Sequence, residues 1–229
     1  MIKFENTEVL GWKHAIRGMR NPMNSWDKSD TKFYDEQSEY KYDIPYIGCN
    51  DLNLMEHLKL AGADHRKYLR MITVYVDITA PLYWWKEFDT YKVGTIANSC
   101  STMHKIHSKE FTLEDFSYEH LIEPSLTLLK CTIENLNTNR MIFLEGGEIC
   151  SPDGWINVDP KSKDVWWQMI QLLPSSYNQK RTIMLNYEIL NNIYKSRKNH
   201  KLDEWSVGFI NWIETLPYAK ELIIGKEDK

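Results

Sequence analysis

A polar segment around Cys100 has the residue types of a reactive site. In the stretch TIANSCSTM, residues 95–103, hydroxyl and amide side chains surround this single cysteine. A thiolate is a far better nucleophile than a hydroxyl, so Cys100 is a candidate nucleophile. A lone cysteine is often only a small, inert core residue, and this alternative stays open. The neighbours Asn98 and Ser101 favour a polar lining over a packed apolar one.

The histidines and the paired tryptophans give weaker indications of chemistry. His104 and His107 are three residues apart and could share one face of a helix. No cysteine or carboxylate lies at a recognisable metal-ligand spacing beside them, so we predict no metal site. The pairs Trp84–Trp85 and Trp166–Trp167 could stack on a flat ligand, but we assign them to the core or to a subunit interface.

The elements that would position these residues begin with a short strand and a helix. Residues 1–10 alternate weakly and predict the strand, and residues 12–19 predict the helix. A second helix is predicted over residues 51–60, capped by Asp51 and ended by Gly62.

Residues 68–79 alternate in the manner of a strand with one packed face. That face carries Ile72, Val74, Val76 and Ile78, and Pro81 marks the end of the strand. Further helices, one of them capped by Thr112, are predicted over residues 82–93, 112–145, 165–173 and 181–200. A last amphipathic segment, residues 202–216, ends before Pro217. We predict one domain over residues 1–229, with loop insertions at about 27–50 and 144–163, where Gly, Pro, Asn and Asp disfavour regular structure.

Composition and charge exclude several classes of protein. The chain has 229 residues, of which 42% are hydrophobic and 26% charged, as in soluble globular proteins. The formal charge of −4 predicts no general affinity for nucleic acid. The four cysteines form no CxxC pair, which predicts a reducing cytoplasm. No signal-peptide run or 18-residue apolar stretch is present, so we expect a cytoplasmic protein that does not bind a membrane.

Three stretches together resemble the flavin-dependent thymidylate synthases, the family that methylates dUMP using FAD. The first runs from the helix at 51–60 through His65 and the predicted strand to Ala-Pro. Beyond an aromatic helix, the family signature RHRxxSxNExSxRY then falls on TYKVGTIANSCSTM, residues 90–103. The second, LLPSSYNQKRTIMLNYEILNNIYKSR at 172–197, is similar to the family's LP…N-x-R-x-L…R segment. The third, AIRGMRNP at 15–22, resembles an Arg-bearing segment near the family's N-terminus.

The resemblance implies a fold and a set of ligands. The implied fold is α/β, with helices packed on a small, mostly antiparallel sheet. The implied reaction is reductive methylation of dUMP, or a related pyrimidine deoxynucleotide, at C5. FAD would be the cofactor, with NADPH and methylenetetrahydrofolate as co-substrates. The family's sites form between the subunits of a homotetramer, so a homo-oligomer is expected.

Site residues follow from the matched positions. Those implied to bind the cofactor are His65, Lys92, Thr95, Asn186 and Arg197, and those implied to bind substrate are Asn98, Ser101, Lys180, Arg181 and Glu188. The signature's RHR becomes Thr90, Tyr91 and Lys92, and the arginine of N-x-R becomes Glu188. Cys100 takes the place of a serine near the reacting carbon, where its thiolate could add to C6 of a pyrimidine and so activate C5.

A nucleotide would also require an anion site. The candidate phosphate contacts are Arg20, Lys92, Lys180, Arg181 and Arg197. The segment NQKR, residues 178–181, precedes a predicted helix whose N-terminal N–H groups would reinforce anion binding. The alternative is that Lys180 and Arg181 are solvated surface charges. For the whole chain, the alternative function is a non-catalytic nucleotide-binding or structural oligomer that keeps the fold without the chemistry.

Overall fold

A four-stranded sheet is the framework of the computed structural model, which describes residues 2–33, 44–152 and 154–225. In chain order, the strands are β1 (Lys3–Leu10), β2 (Thr73–Pro81), β3 (Ile96–Ser99), β4 (Gly147–Ser151), β5 (Gly154–Val158) and β6 (Asn178–Asn186). Within that sheet the order is β1-β2-β6-β3, so β1 and β3 form its edges. Strands β4 and β5 form a separate antiparallel hairpin in which Cys150 lies opposite Trp155.

The helices cover much of the remaining chain. In chain order, the α-helices are α1 (Trp12–Arg20), α2 (Cys49–Leu60), α3 (Leu82–Phe88), α4 (Glu123–Glu145), α5 (Lys163–Leu172), α6 (Tyr187–Arg197) and α7 (Ile210–Glu214). Short 3-10 helices include Arg66–Met71 before β2 and Leu113–Asp115 before α4. Two π-helical segments, Glu204–Phe209 and Lys220–Ile224, flank α7. None of the helices in the described part of the chain is long and apolar enough to cross a membrane.

Packing separates the described residues into two compact units. The first unit contains residues 79–88, 99–152 and 154–180, and the second contains residues 2–33, 44–78, 89–98 and 181–225. A core in the first unit joins Leu129, Ile133 and Leu136 of α4 to Val165 and Met169 of α5. The prediction of one domain over residues 1–229 stays a prediction.

The core of the second unit is aromatic and includes the packed face of β2. Ile72, Val74, Val76 and Ile78 are at most 1% exposed, which confirms the predicted face. The Trp12 ring meets the rings of Tyr187 and Tyr218 edge to face at 5.5 and 5.6 Å. The hydroxyl of buried Tyr187 donates to the backbone oxygen of Pro217 at 2.7 Å, so this polar atom is satisfied inside the core.

Asp51 is a buried anion and not a helix cap. Helix α2 begins at Cys49, and the carboxylate of Asp30 accepts from the N–H groups of Asn50 and Asp51 at its N-terminus. The Asp51 carboxylate itself accepts from Arg20 Nε at 2.6 Å and from Thr31 Oγ1 at 2.6 Å. Because Arg20 is buried in this pair, it is not available as the predicted phosphate contact.

Strand β6 replaces the first part of the helix predicted over 181–200. Ile183 and Leu185 are buried and alternate with the more exposed Thr182 and Met184, the period of a strand. The helix prediction was wrong there because this short alternation was read together with the longer helical pattern after it. Helix α6 begins only at Tyr187, with Asn186 as its N-cap.

Three other segments differ from their predictions. The helix predicted over 82–93 ends at Phe88. The helix predicted over 112–145 begins at Glu123, because Thr112 caps a 3-10 turn.

The prediction of a loop over 144–163 was wrong: α4 continues to Glu145 and the β4–β5 hairpin follows. In that hairpin Pro152 lies in the turn, while Ile149 and Val158 pack on the first unit's core. Of the loop predicted over 27–50, residues 34–43 lie outside the described residues.

We expect Asp51→Asn to lower the free energy of unfolding by about 3 kcal/mol, because it leaves the buried Arg20 guanidinium without its counter-ion. Urea unfolding at neutral pH measures the change. Asp89→Asn is the control, since it removes the partly exposed partner of Arg181 and should cost under about 1 kcal/mol. Equal losses in the two variants would contradict the assignment.

The same pair should affect acid stability. Burial acts to raise the pKa of Asp51, but hydrogen bonds from Thr31, Ser29 and Arg20, with the Arg20 charge, outweigh it and hold the pKa below the ordinary 3.8. A lowered folded-state pKa stabilises the protein above the unfolded pKa and ceases to do so as the pH falls through the folded value. The stability difference between wild type and Asp51→Asn should therefore narrow below pH 3.8.

Candidate functional site

Helix α6 carries the predicted site residues Glu188 and Arg197, and Asn186 directly precedes it. Tyr187, Leu190 and Ile193 are buried and anchor one side of the helix in the second unit. Asn186 caps the helix, because its Oδ1 accepts from the N–H of Ile189 at 3.1 Å. The anchored side fixes the rotation of the helix, and so it determines where the remaining side chains point.

The loop of residues 90–95 is folded directly onto α6. Gly94 has a φ of +76°, and a Cβ atom there would lie 2.9 Å from Ile189 Cδ1 and 3.4 Å from Asn186 Nδ2. Only glycine accommodates both this conformation and this approach without strain. Thr95 Oγ1 donates to the backbone oxygen of Tyr91 and closes the loop. The loop therefore brings Lys92 and Thr95 next to the start of α6.

Arg197, at the end of α6, is held by two aromatic residues. Its Nε donates to Tyr91 Oη at 2.9 Å. Its guanidinium carbon lies 4.9 Å from the centroid of the Trp205 ring and 5.6 Å from that of the Tyr91 ring, within the range of cation–π attraction. Tyr91 Oη also lies 3.2 Å from Ser196 Oγ. The structure thus places Tyr91, at the position of the signature histidine, in contact with Arg197 at the end of α6.

A shallow pocket opens between this loop and α6. It has a volume of about 240 Å³ and is lined by Thr90, Tyr91, Lys92, Val93, Ile189 and Asn192. The Lys92 side chain is exposed. One ammonium group, an amide and a phenol ring suit an anion or a small ring with hydrogen-bonding edges.

Glu188 is paired with arginines of its own chain. Its Oε1 accepts from Arg66 Nε at 3.1 Å, and its Oε2 accepts from Arg70 Nε. The Glu188 side chain is 9% exposed and that of Arg70 54% exposed. Burial acts to raise the pKa of Glu188, but the hydrogen bonds and charges of Arg70 and Arg66 outweigh it and leave the pKa below the usual value. Glu188, which was predicted to bind substrate, therefore already has hydrogen-bond donors within its own chain.

His65 lies beside this ion pair along the chain. It is the N-cap residue of the 3-10 helix Arg66–Met71, and its side chain is exposed. Its backbone N–H donates to the oxygen of Gly62 at 3.1 Å. Since Arg66 and Arg70 bind Glu188, the turn that presents His65 is tied to α6.

The first unit brings Cys100, Ser101 and Lys180 together. The N–H of Cys100 donates to the backbone oxygen of Lys180 at 3.0 Å, and Gln179 Nε2 donates to the oxygen of Cys100 at 2.7 Å. Ser101 Oγ accepts from the N–H of His104 at 2.9 Å. Cys100 is exposed, so it is not a core residue, and its role as a nucleophile stays a prediction.

The predicted anion segment at 178–181 has a different geometry from the one expected. Lys180 and Arg181 are successive residues of β6, so their side chains point to opposite faces of the sheet, and neither lies at a helix N-terminus. Arg181 Nη1 donates to Asp89 Oδ1 at 2.7 Å. Asn98 lies on edge strand β3, where all four residues are exposed.

Four residues around α6 were not predicted as part of the site: Tyr91, Trp205, Arg66 and Arg70. Tyr91 stands inside the signature, but nothing in the sequence links position 91 with position 197. Arg66 and Arg70 could have been found by asking which cations lie near the charge reversal at Glu188. The part of the chain that the structure describes holds no cluster of three or more metal-ligating side chains.

Comparison with known proteins identifies the fold. By sequence, the chain matches no protein-family model and no curated protein. By structure, it is similar to flavin-dependent thymidylate synthase ThyX from Helicobacter pylori complexed with FAD and dUMP, with a TM-score of 0.61, 14% identity, and coverage of 93% of this chain and 94% of that chain. A second structure of that enzyme with FAD and dUMP gives a TM-score of 0.64, 13% identity and 97% coverage of both chains.

The chain has the fold of the flavin-dependent thymidylate synthases. The predicted α/β class, with helices and a small sheet, is thereby confirmed. The similar ThyX structures contain FAD, a molecule whose two ring systems are joined through a diphosphate. The pocket beside α6 has room for a phosphate-bearing part of such a ligand, with Lys92 as the cation in its lining, and it is too small for the whole molecule.

A charge exchange tests whether Glu188 and Arg70 act as a pair. Glu188→Arg would place a third guanidinium against Arg66 and Arg70, and we expect it to lower the free energy of unfolding by about 2 kcal/mol. Adding Arg70→Glu returns opposite charges to the two positions and should recover at least half of that loss.

Double-mutant analysis of urea unfolding gives the measurement. Arg70→Glu alone is the second single variant and should also destabilise, since it puts two carboxylates together. If the losses of the two single variants simply add in the double variant, the pair is not a unit.

Proposed function

We propose that the protein is a flavin-dependent enzyme that methylates a pyrimidine deoxynucleotide at C5, with dUMP as the parent substrate. The observation that carries this proposal is Arg197, the arginine matched to the end of the family's helix, held by Trp205 and by Tyr91, which with Lys92 lines the pocket beside α6. The fold supports it, because the similar ThyX structures contain FAD and dUMP.

In this proposal the chain's residues bind and orient the ligands. Lys92 and Arg197 bind phosphate by charge and by hydrogen bonds. Asn186, Thr95 and His65 contribute to the cofactor site. FAD supplies the redox chemistry when bound, methylenetetrahydrofolate donates the carbon, and NADPH provides the reducing equivalents. We further propose a cytoplasmic homo-oligomer, by analogy with the family.

For the chemical step we propose Cys100 as the nucleophile. Its thiolate would form a bond to C6 of the pyrimidine, shifting electrons to C5, and the same bond would break after C5 has gained its new substituent. Its exposure and its backbone bonds to Lys180 and Gln179 support this role. Asn98 and Ser101 are proposed to contact the substrate.

A second candidate is a nucleotide-binding or structural oligomer without catalysis. It is favoured by the charge at position 188, where the carboxylate of Glu188 is already taken by Arg66 and Arg70. Thr90 and Tyr91 also lack the charge of the family's residues. The two candidates differ in whether the protein binds flavin.

Flavin binding is measured by the visible spectrum of purified protein before and after incubation with FAD and removal of the excess. The enzyme proposal predicts flavin absorption bands that stay with the protein. It also predicts that dUMP perturbs these bands. Absence of retained flavin at micromolar protein would rule out the flavoenzyme and leave the second candidate.

Growth of a host lacking thymidylate synthase tests the reaction itself. The gene should permit growth without thymidine, and Cys100→Ser should abolish that growth, because a hydroxyl is a far weaker nucleophile than a thiolate. Cys150→Ser, which alters another exposed cysteine on strand β4, is the matched control and should support growth. Normal growth with Cys100→Ser would remove Cys100 from the mechanism.

A further inference from the structure

Arg66 bridges two side chains on one face of α6. Its Nε donates to Glu188 Oε1 at 3.1 Å, and its Nη2 donates to Asn192 Oδ1 at 3.5 Å. Glu188 and Asn192 are four residues apart on the helix, so their side chains are neighbours on the same face. All three residues belong to the second unit. The carboxylate at position 188 therefore holds the arginine that contacts Asn192.

The contact with Arg66 decides which way the Asn192 amide faces. The amide has an acceptor, Oδ1, and a donor, Nδ2, and a half-turn of the group exchanges them. A guanidinium carries donors only, so it pairs with Oδ1 and not with Nδ2. The Arg66 side chain is 18% exposed and is also bound to Glu188, so it offers the amide a fixed partner. Nδ2 is therefore the Asn192 atom that faces away from Arg66.

Asn192 also lines the pocket between α6 and the loop of residues 90–95. With Oδ1 turned to Arg66, the side chain gives this pocket a hydrogen-bond donor. Lys92 lies in the same lining and contributes an ammonium group, which is a donor without an acceptor. Lys92 and Asn192 thus both present donors to a ligand in the pocket.

A phosphate group suits this pair of donors. Its oxygens accept hydrogen bonds, and its negative charge is attracted to the Lys92 ammonium. Around Glu188 two arginines face one carboxylate, so the charge behind Asn192 is positive as well. The pocket volume of about 240 Å³ has room for a phosphate group and part of the molecule attached to it.

We propose that Asn192 binds a phosphate group of the ligand through Nδ2, beside Lys92, and that Arg66 is the positioning residue that turns the amide toward it. This inference rests on the proposed function and deepens it. It also gives Glu188 a role that does not require contact with substrate, because Glu188 holds Arg66 in place. The phosphate belongs either to the nucleotide substrate or to the diphosphate of FAD.

The first test is the substitution Asn192→Ala in the full chain. Calorimetry measures the dissociation constants of two matched ligand pairs, dUMP with deoxyuridine and FAD with riboflavin. Loss of one hydrogen bond should weaken the phosphate-bearing ligand of one pair about three- to tenfold and leave its partner without phosphate unchanged. Asn199→Ala, at an exposed asparagine just after α6 that is not part of the pocket lining, is the matched control.

The pair that responds identifies the source of the phosphate. General damage to the fold would weaken both ligands of a pair alike, so the ratio within a pair isolates the phosphate interaction. Unchanged affinity for both dUMP and FAD, or equal weakening within each pair, would overturn the proposal.

Asn192→Asp distinguishes a ligand contact from a structural role. A carboxylate has nearly the shape of the amide and gives Arg66 a stronger acceptor, so stability in urea should be at least that of wild type. Toward the pocket the same substitution replaces a donor by a negative oxygen. The phosphate-bearing ligand should therefore bind about tenfold more weakly, or weaker still. Wild-type affinity for that ligand in Asn192→Asp would contradict the proposal.

The positioning role of Arg66 has its own test, Arg66→Lys. Lysine keeps the positive charge and can still pair with Glu188, but its single ammonium cannot replace the planar fork that reaches both Glu188 and Asn192. We expect weaker phosphate binding from Arg66→Lys alone, and no further weakening when it is added to Asn192→Ala. Arg70→Lys makes the same exchange at the other arginine bound to Glu188, and its effect should be smaller. An effect of Arg66→Lys that persists in full beside Asn192→Ala would rule out positioning.

Inorganic pyrophosphate separates this inference from the proposed function. If wild type binds neither dUMP nor FAD but binds pyrophosphate, and Asn192→Ala weakens that binding, the function fails and the anion site stands. If wild type binds dUMP or FAD and Asn192→Ala binds them equally well, the anion site fails and the function stands. If wild type binds none of the three, both are overturned.

Discussion

The junction at Asn186, where strand β6 becomes helix α6, is the constraint on which the candidate site depends. The strand fixes where the helix starts, and Asn186 satisfies an N–H group that would otherwise lack a partner. Burial of Tyr187, Leu190 and Ile193 then fixes the rotation of the helix. A shift of one residue at this junction would turn every exposed side chain of α6 by about 100° and separate Arg197 from Tyr91.

Two positions around α6 depart from the family pattern, and each has a partner within this chain. A carboxylate stands where the resemblance leads one to expect an arginine, and two arginines face it. A tyrosine stands where a histidine is expected, and it binds an arginine that was kept. In both places the departure has a partner in space. A changed residue in a packed or charged site needs a complementary partner, because a buried charge or polar group without one destabilises the fold.

The sequence was informative where a pattern was long or strongly periodic. The buried face of β2 followed from its alternation, helices α1 and α5 were predicted near their observed positions, and the fold was implied by the resemblance to a known family. Prediction failed at β6, where a nine-residue alternation is followed directly by helix-forming residues and no Gly or Pro separates them. It also failed at Asp51, because a carboxylate in the first turn of a helix resembles a cap unless its buried partner, Arg20, is known.

The conformation of Gly94 makes the residues allowed at two distant positions depend on each other. The signature pattern leaves position 94 unspecified. In this chain the loop lies against Ile189 and the Asn186 amide, and a Cβ atom at 94 would meet both. A side chain at 94 would require a left-handed backbone and also a smaller neighbour at 189. Design of either position must therefore treat the two residues together.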